Sequence, residues 1–183
     1  MVTGVTRNYN VALEDARLVL DTVPGQPVIG MSMVIGRGHT VFIADTSVEE
    51  LPDGPKIASI ACEAARAVRA LGFTPRVALL SYSTFGNPMG ERIEKVREAV
   101  SILDQRADVD FEYEGDINAD VALNPNHKLV YPFSRLTGPA NVLVMPAIHS
   151  ASISTKLLDA MGGGTVLGPM LLGLEKPVQI ARL

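Results

Sequence analysis

Apolar positions recur along the chain in two rhythms, and these outline an alternation of helices and strands. From Asn10 to about Thr22, Val11, Ala12, Ala16, Leu18 and Val19 stand close to helical spacing. Pro27–Ile35 and Thr40–Ala44 read as two strands joined by Gly36-Arg37-Gly38-His39, a short glycine-containing connection that suits a hairpin. Asp53-Gly54-Pro55 then opens a long helix to about Leu71, with Asp53 as the cap, proline in the first turn and Gly72 past the end. Arg76–Ser81 is a short apolar run, the mark of a buried strand. Glu91 to about Gln105 is a charged amphipathic helix. Its apolar stripe is Ile93, Val96, Val100 and Leu103, and Glu91, Lys95, Glu94 and Glu98 lie on its wet side.

Asp110–Glu114 alternates like a strand and Asn118–Leu123 reads as a short helix. Asn124–Gly138 has little period and is expected to be loop with some local order. Asn141–Pro146 is the clearest buried strand, and Ser150–Met161 a helix ended by Gly162-Gly163-Gly164. The tail alternates short apolar runs with Gly168-Pro169, Gly173 and Lys176-Pro177. Helices following strands in this way predict an α/β fold, three-layer αβα with a largely parallel sheet.

Composition narrows the function classes. The net charge of −4 provides no basic face for nucleic acid, and no Lys/Arg block suits an anionic membrane. No apolar run approaches the roughly 20 residues of a membrane span, and the first thirty residues lack a signal-peptide pattern, so a cytoplasmic protein is expected. The single cysteine, Cys62, excludes an intrachain disulfide and reads as a small buried thiol. His39, His127 and His149 are dispersed without metal-ligand spacing, so no metal site is expected.

Loops at the carboxyl ends of parallel strands are where such folds bind ligands. One is Ser81-Tyr82-Ser83-Thr84-Phe85-Gly86-Asn87, whose amides, hydroxyls and following helix suit a phosphate or carboxylate; it also reads as a merely polar turn. It is not a P-loop, since the glycine-lysine-Ser/Thr ending is missing. A second is Pro146–Ser152 with Lys156 beyond, where His149 is either a general base or a local hydrogen-bonding residue. Glu112, Glu114, Asp116 and Asp120 form an acidic cluster, suited to acid–base work or a cation, or to complementing a helix start.

Several ordered stretches resemble the phosphate acetyltransferase/butyryltransferase family over essentially the whole chain. These are Val77–Thr84 with Gly86, Glu114-Gly115 with Asp120, Gly138–Pro146, and Gly168–Val178. The closer resemblance is to the subset fused to the C-terminus of bacterial NADP-dependent malic enzymes. The resemblance implies an isocitrate/isopropylmalate dehydrogenase-like subdomain, residues 1–163 forming the second of two subdomains and 164–183 a stub of the first. It implies a fragment whose malic-enzyme and first-subdomain portions lie elsewhere in a parent chain, and a homodimer through this subdomain. The parent would convert malate and NADP to pyruvate, CO2 and NADPH with Mg or Mn; the fragment itself would hold no cofactor.

Departures from the family bear on activity. Aligning Lys176-Pro177 puts Ala181 where active transferases carry serine, while Arg182 matches their arginine. Phe85 replaces a lysine and Asn87 a serine of the hydroxyl-rich loop. The resemblance therefore implies a non-catalytic domain that senses acetyl-CoA, with no catalytic residues and with Ser83, Thr84, Gly86, Asn87 and Arg182 as ligand-binding candidates. The alternative is a truncated active phosphate acetyltransferase acting on acetyl phosphate and CoA.

Overall fold

The computed structural model describes residues 1–183 apart from Val5, Arg7, Arg37, Arg182 and Leu183. The chain opens with strand β1 (Val2–Gly4) and helix α1 (Tyr9–Val19), then forms the hairpin β2 (Ile29–Ile35) and β3 (Thr40–Ala44). Helix α2 (Gly54–Ala70), β4 (Arg76–Leu80), α3 (Glu91–Gln105) and β5 (Glu112–Ile117) follow. Next come α4 (Ala119–Leu123), α5 (His127–Val130), β6 (Val142–Val144), α6 (Ile148–Ala160), β7 (Thr165–Leu172) and β8 (Gln179–Ala181).

Six strands form one sheet in the order β5-β4-β6-β3-β2-β7, and β1 pairs with β8 in a separate parallel ribbon. β5, β4, β6 and β3 are mutually parallel, while β2 is antiparallel to both β3 and β7. The expected αβα fold with a largely parallel sheet is thus the observed one. β7 closes the edge beside β2, so residues 165–172 belong to the main sheet.

Alternation along the strands divides the core in two. Phe42, Ala44, Val77, Leu79, Val142 and Val144 face α2 and α3. Ile43, Ala78, Leu80, Leu143 and Met145 face the side covered by Ala122 of α4 and Ala151 of α6. α2 lies close because its inner face is largely alanine: Ala58, Ala61, Ala64 and Ala65 are fully buried. Its ends are those the sequence announces: the Asp53 carboxylate accepts from Lys56 N (2.9 Å), and Gly72 takes φ +88° past the end.

Several boundaries differ from the sequence reading: β2 starts at Ile29 and β6 covers only Val142–Val144, and three further shifts have a visible cause. β5 starts at Glu112 and runs on to Ile117, because Asp110 is held outside it by Arg69 and Ile117 pairs with Leu80 after a register shift. α6 begins two residues early, where Ile148 N donates to Glu50 O (3.2 Å). α1 ends at Val19; Leu20 is extended and Thr22 bridges Leu174.

Candidate functional site

Parallel strands that are neighbours in the sheet send their helices to opposite faces. β3 and β4 lead to α2 and α3 on one face, whereas β6, lying between those strands, leads to α6 on the other. A crevice opens at the carboxyl end of a sheet wherever neighbouring connections diverge in this way. Here it is a cleft of about 340 Å³. Leu51, Pro52, Ile57, Pro146 and Ala147 supply an apolar wall, and Ser81, Tyr82, Glu91, Arg92, Lys95, His149 and Ser150 a polar one. His149 also lines an adjoining hollow with Asn10, Ser47, Ser152 and Lys156.

The wet side of α3 is less evenly paired than its sequence suggests. Glu91 and Lys95 stand four apart yet form no ion pair; both turn into the cleft beside Arg92. Arg92 and Lys95 have no carboxylate partner within salt-bridge distance among the described residues. Neither α3 nor α6 carries a side-chain cap, so the amide dipoles at both starts add positive potential nearby. The cleft therefore combines a cationic rim with an apolar wall, suiting a ligand with an anionic group and a less polar body.

The hydroxyl-rich turn beside it is built differently. Thr84 N donates to Asn87 O (3.2 Å) and Asn87 N to Thr84 O (3.3 Å), closing a tight turn with Phe85 (φ 52°) and Gly86 (φ 85°) at its left-handed centre. Phe85 N donates to Asp116 O (2.8 Å) and Gly86 N to the Asp116 carboxylate (3.0 Å). Asp116 is 1% exposed, and Arg97 on α3 brings its guanidinium to 4.0 Å. The amides expected to stand free for an anion are thus engaged within the fold, two of them by a residue of β5. Packing of the Phe85 ring on Tyr131 and Phe133, with centroids 5.1 and 4.8 Å away, holds a bulky residue in this unusual conformation.

Among the sequence candidates, Ser83 is fully buried with its hydroxyl unpartnered, and the Thr84 hydroxyl accepts from Asn118 N (3.1 Å). Gly86 lies under Arg97 and Asn87 is exposed. Arg182 lies outside the described residues, one position past Ala181, which pairs with Gly4. His149 is exposed in the first turn of α6, His127 is buried against Asn124 O (2.9 Å), and His39 sits in the β2–β3 hairpin.

The acidic cluster works as a set of staples. Glu112 accepts from Thr137 N (2.8 Å), Glu114 from Arg135 N (2.8 Å), and Asp116 from the turn. Arg135 also bonds Asp104 (2.6 Å) and stacks over Tyr113, whose hydroxyl donates to Asp104 (2.6 Å). Burial and the Asp104 carboxylate push the Tyr113 phenol up to about 12. The Tyr113 and Arg135 hydrogen bonds hold Asp104 below its ordinary range. Among the described residues, no group of three or more His, Cys, Asp or Glu side chains is placed to hold a metal ion.

A larger hollow of about 470 Å³, against the outer side of α2, contains Cys62 and three arginines. There Arg66 is matched by Glu63, Arg69 by Asp110 and Arg106 by Asp108, and burial pushes the Cys62 thiol up. With each cation already matched and the thiol held protonated, the carboxyl-end cleft is the stronger candidate. Arg92 and Lys95 were hidden in the sequence because charges on an amphipathic helix ordinarily signal solvent. Their only sequence signal was the position just inside the first helix after a strand-end loop.

The family model for phosphate acetyl/butaryl transferase matches residues 1–182. The chain is 60% identical over 183 residues to the NADP-dependent malic enzyme of Rhizobium meliloti (strain 1021), covering 100% of this chain and 24% of that protein. It is 35% identical over 191 residues to the phosphate acetyltransferase of Treponema pallidum (strain Nichols), covering 97% of this chain and 56% of that protein. A phosphotransacetylase structure from Streptococcus pyogenes superposes with a TM-score of 0.90 at 28% identity, covering 100% of this chain and 57% of the other. The chain thus spans about a quarter of the malic enzyme and just over half of the transferases. No helix among the described residues is long and apolar enough to cross a membrane.

Proposed function

The chain belongs to the phosphate acetyl/butaryl transferase family, and from that premise we propose that it is a regulatory and oligomerisation domain of a cytoplasmic malic enzyme, sensing acetyl-CoA without catalysing acyl transfer. The observation that carries this reading is the 60% identity, along the full chain, to one quarter of a malic enzyme. Two substitutions support it. Ala181 offers no hydroxyl where the resemblance expects a serine, and Phe85 turns an aromatic ring, not a cation, toward Tyr131 and Phe133. Losing such groups removes stabilisation of developing charge worth about 3 kcal/mol per donor in comparable sites.

In this reading malate oxidation, NADP and the divalent metal (Mg or Mn) belong to the rest of the parent chain. Acetyl-CoA at the carboxyl-end cleft biases the conformation of the assembly through its differential affinity for two states. The second subdomain extends through β7, which completes its sheet, and β8 with β1 carries the chain toward the first. Assembly is supported by α6 and its C-terminal cap, where Ile153, Leu157 and the cap residue Met161, at helical spacing, are 65%, 55% and 75% exposed. An outward apolar stripe of this kind suits the same helix of a second copy.

A second reading, a piece of an active phosphate acetyltransferase, draws on the 35% identity to the Treponema enzyme. Incubating the full-length parent with acetyl phosphate and CoA, and following thioester absorbance, separates the two. No turnover is expected; thioester formation at rates typical of enzymes would establish the transferase instead.

A further inference from the structure

We infer that the anionic end of the ligand enters the cleft at Arg92 and Lys95, and that the neighbouring hydroxyl-rich turn does not hold it. The inference rests on the effector reading above and names residues that the motifs did not.

Asp116 decides against the turn. Its buried carboxylate already accepts from Gly86 N (3.0 Å), and its carbonyl from Phe85 N (2.8 Å). A second anion at these amides would displace an internal acceptor and lie beside a carboxylate that is 1% exposed, where repulsion is little screened. Arg97, the cation that overlies Gly86, approaches that same carboxylate to 4.0 Å and is already matched by it.

The cleft presents the opposite balance. Arg92 and Lys95 line about 340 Å³ of open volume with no carboxylate bound to either among the described residues. Both lie in the first turn and a half of α3, where the helix potential adds to theirs. Arg92 supplies a planar fork and Lys95 a point charge, a combination that fits a phosphate group with oxygens in several directions. Leu51, Pro52, Ile57, Pro146 and Ala147 in the same lining suit a less polar portion of the same molecule. Among the described residues Glu91 is the one carboxylate in the lining, and its charge opposes those of the two cations.

Acetyl-CoA is titrated to millimolar concentration into the 15N-labelled 183-residue chain while backbone amides are followed, with inorganic phosphate as a second probe. The amides at the starts of α3 and α6 shift, and phosphate reproduces the α3 part of the pattern. Arg92→Gln with Lys95→Gln weakens acetyl-CoA by at least about tenfold, the scale of one lost charge-assisted hydrogen bond. Glu91→Gln tightens it, a change a merely structural role would not produce. Lys95→Arg keeps the affinity, and Asn87→Ala leaves it unchanged. Circular dichroism of each variant confirms that it is folded. Binding by the double glutamine variant equal to the unaltered chain overturns the cleft assignment and leaves the effector reading standing. An absence of acetyl-CoA binding by the unaltered full-length parent in calorimetry overturns both.

Discussion

Removing the Asp45 carboxylate should cost more stability than any other single polar change in the described structure. Asp45 leaves the end of β3 and is 3% exposed. Its oxygens accept from Gly30 N (2.8 Å), Ser47 N (2.9 Å), Val48 N (3.2 Å) and Glu49 N (2.7 Å). Asp45→Ala strips all four donors of their acceptor and leaves a space too small to solvate them fully. Each buried, unsatisfied amide costs about 1–3 kcal/mol. Ser47 and Gly30 are buried, whereas Val48 and Glu49 are partly open to water. Counting the first two fully and the others at a fraction gives a loss of about 4 kcal/mol. Asp45→Asn retains one acceptor oxygen and should lose about half of that. Urea unfolding followed by circular dichroism measures both, and an unchanged m-value shows that the transition itself is unaltered. A loss below about 1 kcal/mol for Asp45→Ala would refute the reasoning, because the four bonds would then contribute no more than one ordinary bond. The change should also disturb the cleft. The turn it fixes leads to Glu50, whose carbonyl receives Ile148 N at the start of α6.

Further outcomes follow from particular contacts. The Tyr113 phenol is held up to about 12, so its neutral form supports the fold; that support is complete below pH about 10 and is lost as pH rises toward 12. Absorbance at 295 nm should show a phenol ionising near 12 that Tyr113→Phe removes, and a titration in which Tyr113→Phe removes no late component would contradict this. Asp104 has the opposite sign: its depressed carboxyl stabilises the fold above its unfolded pKa and ceases to do so as pH falls through the folded one. Asp104→Asn should therefore flatten the acid limb of the stability curve. Gly173→Ala should destabilise by about 2 kcal/mol or more, because a Cβ there would lie 2.1 Å from Pro27 O at φ +86°, and a thermal midpoint unchanged from the parent would exclude that close approach. Leu157→Glu on α6 should convert a dimer to monomer in sedimentation while circular dichroism shows the monomer still folded. A dimer that survives it would move the interface elsewhere.

The elements most legible in the sequence were those whose local signals and tertiary roles agree. α2 carries its cap, its proline and its terminal glycine at the expected places, and α3 runs from Glu91 to Gln105 as its apolar stripe requires. β5 was harder to bound because its buried positions include Glu114 and Asp116, whose polarity hides their burial. Those acids are inside because backbone amides and Arg135 approach them from distant loops, which no local pattern records. The short helix α5 lies in a stretch that lacks period and is held through buried His127. At the cleft, the strand-end loops were recognisable by type, but the fate of their amides was not. Asp116 lies thirty positions beyond Gly86 and reaches the turn only because β4 and β5 are neighbours. Lys95 read as solvated charge, and only the divergence of α3 and α6 to opposite faces of the sheet sets it, with exposed Arg92, along the wall of a cleft.

The regulatory account stands or falls most directly on one rate. Malate-dependent reduction of NADP by the full-length parent enzyme is measured with and without acetyl-CoA, in the unaltered protein and in the Arg92→Gln/Lys95→Gln variant. The account predicts a rate that changes with acetyl-CoA in the first and a response shifted to at least about tenfold higher acetyl-CoA in the second. A parent enzyme whose malate oxidation is indifferent to acetyl-CoA at every concentration would contradict it.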